Sequence, residues 1–118
     1  PLTEETTNLF GQKAFQRMKP GELLINTARG PLVDIDALAT ALEAGEIAGA
    51  AWDELPKEPP PDDCPLFGRN DVILTPHTGF YSTDALLDLQ TTVATDVASV
   101  LNGESPRFPV NPEVRDLK

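Results

Sequence analysis

The sequence has little cysteine, little basic charge and no long apolar run, and each shortage excludes a class of protein. Cys64 is the only cysteine, so no internal disulfide can form, and we expect a reducing, cytoplasmic compartment. Nine Lys and Arg residues stand against nineteen Asp and Glu residues, and the net charge of -10 argues against nucleic acid as a partner. No apolar run approaches the roughly 20 residues that cross a bilayer, so we expect no membrane partner. We assign no metal ligands.

Three short apolar runs predict an α/β fold. Hydrophobic residues make up 40% of the 118 residues, which is enough for one buried core. The runs predict strands at 23–27, 47–52 and 71–75, and the near-continuous first run is typical of a parallel strand buried on both faces. Helical spacing between the first two runs gives the order strand, helix, strand, which implies parallel strands with a right-handed crossover.

The helices and loops follow from periodicity and from breaking residues. An i, i+3, i+4, i+7 pattern predicts a helix that begins after Asp34 and ends at Gly45. A longer helix is predicted from Thr83 to Leu101, followed by an extended tail. Five prolines between Pro56 and Pro65 predict an extended surface loop.

Three ionisable residues follow the three predicted strands: Arg29, Asp53 and His77. In an open α/β sheet, ligands bind outside the carboxyl ends of the strands, so these residues indicate a catalytic cleft for an anionic substrate. Simpler interpretations stay open: Arg29 could pair with surface acids, Asp53 could cap a turn, and His77 could bind a backbone carbonyl.

No glycine-rich dinucleotide turn is present in the chain. The Gly-x-Gly-x-x-Gly pattern that lets a backbone approach a pyrophosphate is missing, and the other glycines have the wrong spacing. We therefore expect the second half of a Rossmann-type doubly wound parallel sheet, as a piece of a longer chain. We expect it in residues 1–82, followed by a long crossover helix at 83–103 and an extended tail at 104–118 that is a remnant of a substrate domain.

Several short motifs give the chain a specific resemblance when their order is considered. Asn26-Thr27-Ala28-Arg29-Gly30-Pro31, Trp52-Asp53, Glu58-Pro59 and Thr75-Pro76-His77 follow one another in this order. From Pro1 to Asn102 the chain resembles the C-terminal part of a D-isomer-specific 2-hydroxyacid dehydrogenase. The residues Phe80-Tyr81 after the histidine resemble the D-lactate dehydrogenase branch. One departure is that Glu54-Leu55-Pro56-Lys57 stands where the family commonly has an aromatic residue.

The resemblance implies catalytic roles that chemistry also supports. Arg29 would bind the substrate carboxylate through parallel hydrogen bonds, His77 would donate and accept the proton, and Glu58 would keep His77 protonated. Alone in a proline-rich loop, Glu58 would be read as a solvated side chain. The resemblance also implies cofactor contacts, which would be made by Pro1, Thr6, Thr27, Ala28, Arg29, Asp53, His77 and Gly79.

The activity implied by the resemblance is the interconversion of a 2-keto acid and a D-2-hydroxy acid by an NAD(P)-dependent oxidoreductase. NAD is the expected cofactor, with NADP not excluded, and the expected partners are the small 2-keto or 2-hydroxy acid and, at full length, a second copy in a homodimer. The 118 residues alone are expected to be inactive. The alternative function is a dinucleotide-sensing, corepressor-like module on the same fold.

Overall fold

The computed structural model describes residues 1–113, which divide into a first compact unit, Pro1–Gly79, and a second that begins at Phe80. The first unit contains α1 (Gln12–Phe15), β1 (Leu23–Asn26), a 3-10 turn (Gly30–Leu32), α2 (Ile35–Glu43), β2 (Gly49–Trp52) and β3 (Val72–Leu74). The second contains α3 (Thr83–Leu101). Within residues 1–113, no helix is both long enough and apolar enough to span a membrane.

The three strands form one parallel sheet in the order β1-β2-β3. The register places Leu24 opposite Ala50, and Ala50 opposite Val72. This arrangement confirms the predicted α/β class and the parallel pairing. Because the strands are parallel, all three carboxyl ends lie at one edge of the sheet, where the predicted site residues follow them.

Capping residues set the bounds of α2. The Asp34 carboxylate accepts hydrogen bonds from the backbone N–H groups of Asp36 (3.1 Å) and Ala37 (3.0 Å). These are donors that the first turn of a helix leaves unpaired. At the other end Gly45 adopts a left-handed φ of 69°, which glycine tolerates without a steric cost. Both predicted ends of this helix are confirmed.

The core of the first unit lies on one face of the sheet. Leu24 and Trp52 pack into one cluster with Phe15 of α1 and Leu38 of α2. The prediction that the first strand is buried on both faces is wrong, because Leu23 and Ile25 are 64% and 67% exposed. Successive strand residues point to opposite faces, and the core cluster of this unit, with the buried residues of α1 and α2, lies on the Leu24 side.

The proline-rich segment after β2 forms no helix or strand, as predicted, but it contributes to the core. Cys64 and Leu66 are 5% and 1% exposed and belong to the buried cluster. The Cys64 thiol is thus a packing group.

The second unit consists of α3 and the residues after it. Ser82 caps the helix by accepting a hydrogen bond from the Ala85 N–H (3.1 Å), and the helix ends at Leu101 as predicted. No residue of α3 is buried. Its apolar residues include Leu87, Val93, Val97 and Val100, each more than half exposed. Residues 104–111 form no helix or strand, and the last part of the predicted tail, residues 114–118, lies outside the described residues.

Candidate active site

The turn that carries Arg29 is shaped by the last residue of β1. Asn26 is buried, its side-chain N–H donates to the Arg29 carbonyl (2.9 Å), and its side-chain oxygen accepts from the Ala28 N–H (3.0 Å). A buried amide that bonds both sides of a turn fixes the path of the chain after the strand. Asn26 was not singled out from the sequence, although a polar residue ending an apolar run was a usable signal.

Gly30 allows the segment after Asp53 to pack directly on the Arg29 turn. A Cβ at position 30 would lie 2.4 Å from the Leu55 carbonyl carbon and 2.6 Å from the Glu54 carbonyl oxygen. These distances are far below van der Waals contact, so only glycine fits. The close approach brings the loop with Glu54 and Glu58 next to Arg29.

Asp53 organises the turn that carries His77. Its side chain is almost fully buried and accepts hydrogen bonds from the Thr75 hydroxyl, the Thr78 N–H (2.9 Å) and the Gly79 N–H (2.7 Å). The Thr75 hydrogen bond is the largest cause that lowers the Asp53 pKa, so this carboxyl stays ionised. Asp53 therefore caps this turn, which was the simpler of the two interpretations.

His77 itself has a left-handed backbone, with φ of 54°. Its N–H donates to the Asp53 carbonyl (2.8 Å) and to the Thr75 carbonyl (3.0 Å). The surrounding hydrogen bonds hold this uncommon conformation, which presents the imidazole at the edge of the sheet.

The imidazole of His77 pairs with Glu58. Nδ1 of His77 lies 3.0 Å from Oε2 of Glu58, and both side chains are about two-fifths exposed. This hydrogen bond is the main cause that raises the His77 pKa, and the charges of Glu58, Glu54 and Asp53 act in the same direction. The same bond lowers the Glu58 pKa. The pair thus favours imidazolium beside an ionised carboxylate, and Nδ1 is the nitrogen that donates to Glu58.

Glu54 connects Arg29 to His77, and the sequence did not reveal this. Oε2 of Glu54 lies 2.7 Å from Nη1 of Arg29 and 3.6 Å from Nε2 of His77. The Glu54 side chain is only 16% exposed, whereas the Arg29 side chain is 56% exposed. The sequence left open that Arg29 could pair with an acid, and it does pair with Glu54. Arg29 also lies at the site edge of the sheet, so the two interpretations hold together.

The remaining predicted residues lie around this cluster or along the chain before it. Thr27 and Ala28 are exposed in the Arg29 turn, and the Gly79 N–H contacts Asp53. Pro1 and Thr6 share one turn, in which the Thr6 hydroxyl donates to the Pro1 carbonyl (3.0 Å). That segment then runs beside the chain that follows Arg29, because the Phe10 N–H bonds the Leu32 carbonyl and the Asp34 N–H bonds the Phe10 carbonyl.

A cavity of about 420 Å³ adjoins the His77 and Glu58 side chains. Its other walls are mostly apolar and include Leu55, Phe67 and Leu74. A concave apolar space with a few polar groups is typical of small-molecule sites.

Residues 1–79 match the family described as D-isomer specific 2-hydroxyacid dehydrogenase, NAD binding domain. The chain is 43% identical over 118 residues to a glyoxylate reductase of Thermofilum pendens, covering all of this chain and 35% of that reductase. The chain thus spans about a third of the length of this relative.

Solved structures show the same fold. A D-lactate dehydrogenase with NAD+ from Lactobacillus jensenii superposes with a TM-score of 0.83 and 36% identity, over 93% of this chain and 37% of that one. A D-isomer specific 2-hydroxyacid dehydrogenase from Xanthobacter autotrophicus, in complex with NADPH and MES, gives a TM-score of 0.79 and 33% identity. This second match covers 96% of this chain and 46% of that one.

Proposed function

The chain belongs to the D-isomer specific 2-hydroxyacid dehydrogenase family, and we propose that it is part of an enzyme that interconverts a 2-keto acid and a D-2-hydroxy acid. The observation that carries the proposal is the contact of His77 Nδ1 with Glu58 Oε2, with Arg29 nearby at the same edge of the sheet. These are the three groups that the reaction needs: a proton donor, a partner that keeps it protonated, and a cation for the substrate carboxylate.

His77 moves the proton in this proposal. With Nδ1 bonded to Glu58, Nε2 is the nitrogen that faces the substrate, and it donates a proton to the ketone oxygen during reduction. In the reverse direction the neutral Nε2 accepts the proton from the hydroxyl group. Glu58 stabilises the imidazolium by its negative charge, so the proton stays available near neutral pH.

Arg29 orients the substrate. Its guanidinium is more than half exposed and pairs with Glu54, whose carboxylate also lies 3.6 Å from His77 Nε2, so a carboxylate that binds Arg29 places the adjacent ketone near His77. A guanidinium holds a planar carboxylate through two parallel N–H groups, which fixes direction as well as position. The net charge of the chain gives no general attraction for anions, so binding depends on this local cation.

The residues at the strand ends fit the nicotinamide part of a dinucleotide. The Thr27 residue is exposed, and Oδ2 of Asp53 accepts only one hydrogen bond among the described residues, which leaves it one acceptor position for an amide N–H. Bound NAD or NADP supplies the hydride chemistry. Pro1, Thr6 and Ala28 are proposed to line the same cofactor.

The chain is proposed to work only within a longer protein. It spans 35% of the Thermofilum pendens reductase, and the exposed apolar residues of α3 support a role for this helix in packing against a substrate domain. We therefore expect the 118 residues alone to show no keto-acid reduction and no NADH binding by titration. Tight NADH binding by these residues would contradict the proposal that they carry only part of the cofactor site. A homodimer at full length belongs to the same proposal.

The experiment is an NADH-oxidation assay of the full-length protein with glyoxylate, pyruvate, hydroxypyruvate and a branched keto acid. We expect reduction of at least one of them, and a large loss of kcat in His77→Asn with NADH binding retained. Absence of turnover across the panel contradicts the enzyme. Cellular function that survives His77→Asn supports the dinucleotide-sensing alternative.

A further inference from the structure

The carboxylate of Glu54 lies between the two groups that the proposed substrate has to contact. A single oxygen, Oε2, is 2.7 Å from Arg29 Nη1 and 3.6 Å from His77 Nε2. A 2-keto acid carries its carboxylate and its ketone oxygen on neighbouring carbons, so it too must bind Arg29 and His77 together. The Glu54 carboxylate thus lies where the substrate anion would bind.

The hydrogen bonds of Arg29 show which of its donors the protein itself engages. Nη1 donates both to Glu54 Oε2 and to the Ala28 carbonyl (2.8 Å), so both of its N–H groups are in use. A carboxylate that binds across the two terminal nitrogens of the guanidinium needs one of these N–H groups. It can gain one when Glu54 moves away.

The local charges act in the same direction. The charges of Asp53, Glu54 and Glu58 all act on His77, and Glu54 also pairs with Arg29. With His77 protonated, these five side chains carry a net charge of -1. An incoming carboxylate makes the net charge of the site more negative. The Glu54 side chain is only 16% exposed, so water screens its repulsion of that carboxylate poorly. Removing the charge of Glu54 would make the free site neutral.

We propose that Glu54 is a specificity-determining residue that occupies the substrate-anion position between Arg29 and His77, and that a 2-keto acid binds in competition with it. The inference rests on the proposed function for the identity of the substrate, but the occupied position is a property of this chain. A substrate must therefore offset the loss of the Arg29–Glu54 ion pair, which weakens the binding of singly charged small acids.

The test uses Glu54→Gln, which keeps the shape of the side chain and removes its charge. Oxamate, an unreactive keto-acid analogue, is titrated near neutral pH into the full-length protein in the presence of NADH, and isothermal titration calorimetry measures its binding. We expect half-saturation at about fivefold lower oxamate in Glu54→Gln, the factor that corresponds to an ion pair at the upper end of the exposed range. Equal or weaker oxamate binding in the variant, or binding in neither protein, overturns the proposal.

Kinetics of the full-length protein separate this inference from the proposed function. Where keto acids are reduced, Glu54→Gln should lower KM by about the same factor with kcat nearly unchanged. A raised KM would mean that Glu54 only holds Arg29 in place, and it would overturn the competition. If no keto acid is reduced, the proposed function fails, and the oxamate titration still decides the role of Glu54. Glu43→Gln is the matched control, because Glu43 lies near Arg69 before β3, away from the site.

Discussion

Replacing Gly30 by alanine should damage the site through the backbone rather than through any catalytic group. The added Cβ would lie 2.4 Å from the Leu55 carbonyl carbon and from the Pro56 nitrogen. Ordinary contact begins near 3.4 Å, so the two segments must separate by about 1 Å. Both contacted atoms belong to the main chain, so no side-chain rotation relieves the clash, and we expect a loss of stability of about 1–3 kcal/mol.

The same displacement reaches His77, because the contacted segment leads to Glu58. A shift of about 1 Å lengthens the 3.0 Å hydrogen bond between Glu58 and His77, so the His77 pKa should fall towards its ordinary value. In the full-length protein, misplacement by about 1 Å can cost on the order of 100-fold in rate.

Urea unfolding and an NMR pH titration of the His77 signals measure the two effects of Gly30→Ala. Gly11→Ala is the matched control, since its added Cβ would have one neighbour, the Asn8 carbonyl oxygen, at an ordinary 3.5 Å. If Gly30→Ala unfolds at the same urea concentration as Gly11→Ala and leaves the His77 pKa unchanged, the proposed close approach of the two segments is refuted.

Two further predictions concern stability. The His77 pKa is raised, so its pairing stabilises the fold below about pH 6.5, and this benefit is lost as pH rises through the raised value. The Glu58 pKa is lowered, so its benefit is present above about pH 4.5 and is lost as pH falls through the lowered value. Glu58→Gln should therefore lower the urea midpoint more at about pH 5.5 than at about pH 8.5, and an equal loss at both would contradict the pairing. Asp34→Ala should cost about 1 kcal/mol by removing the cap of α2, while Asp34→Asn should cost much less; equal losses would show that the cap hydrogen bonds do not matter.

The elements that the sequence predicted well are those whose signals are local. The α3 helix has an apolar period, a capping serine before it and Asn102-Gly103 after it, so its bounds could be read from neighbouring residues. Asp34 and Gly45 predicted the two ends of α2 in the same way. The helix between the first two apolar runs predicted that β1 and β2 are parallel, because a strand-helix-strand unit usually joins parallel strands.

Burial of the strands could not be read from composition. The first strand is as apolar as one buried on both faces, yet Leu23 and Ile25 are exposed. Whether a face is covered depends on which helices pack there, and a strand's own residues do not encode this. Exposed apolar residues on this face leave surface for packing that the first unit does not provide.

The site was predicted in part. The approach of Glu58 to His77 was expected only from the family resemblance, since two residues nineteen positions apart carry no local signal for contact. Glu54 was noted only as a departure from the family, because its pairing with Arg29 depends on the segment after Asp53 packing against Gly30. That close approach is a tertiary contact between two loops.

The most direct measurement of the central claim, that His77 donates the proton with Glu58 as its partner, is the pH dependence of kcat/KM for keto-acid reduction by the full-length protein. Reduction needs the protonated imidazole, so kcat/KM should fall as pH rises through the raised pKa of His77. In Glu58→Gln this decline should begin at lower pH, because the hydrogen bond that raises the pKa is lost. A decline at the same pH in both proteins, or full activity in His77→Asn, would contradict the account.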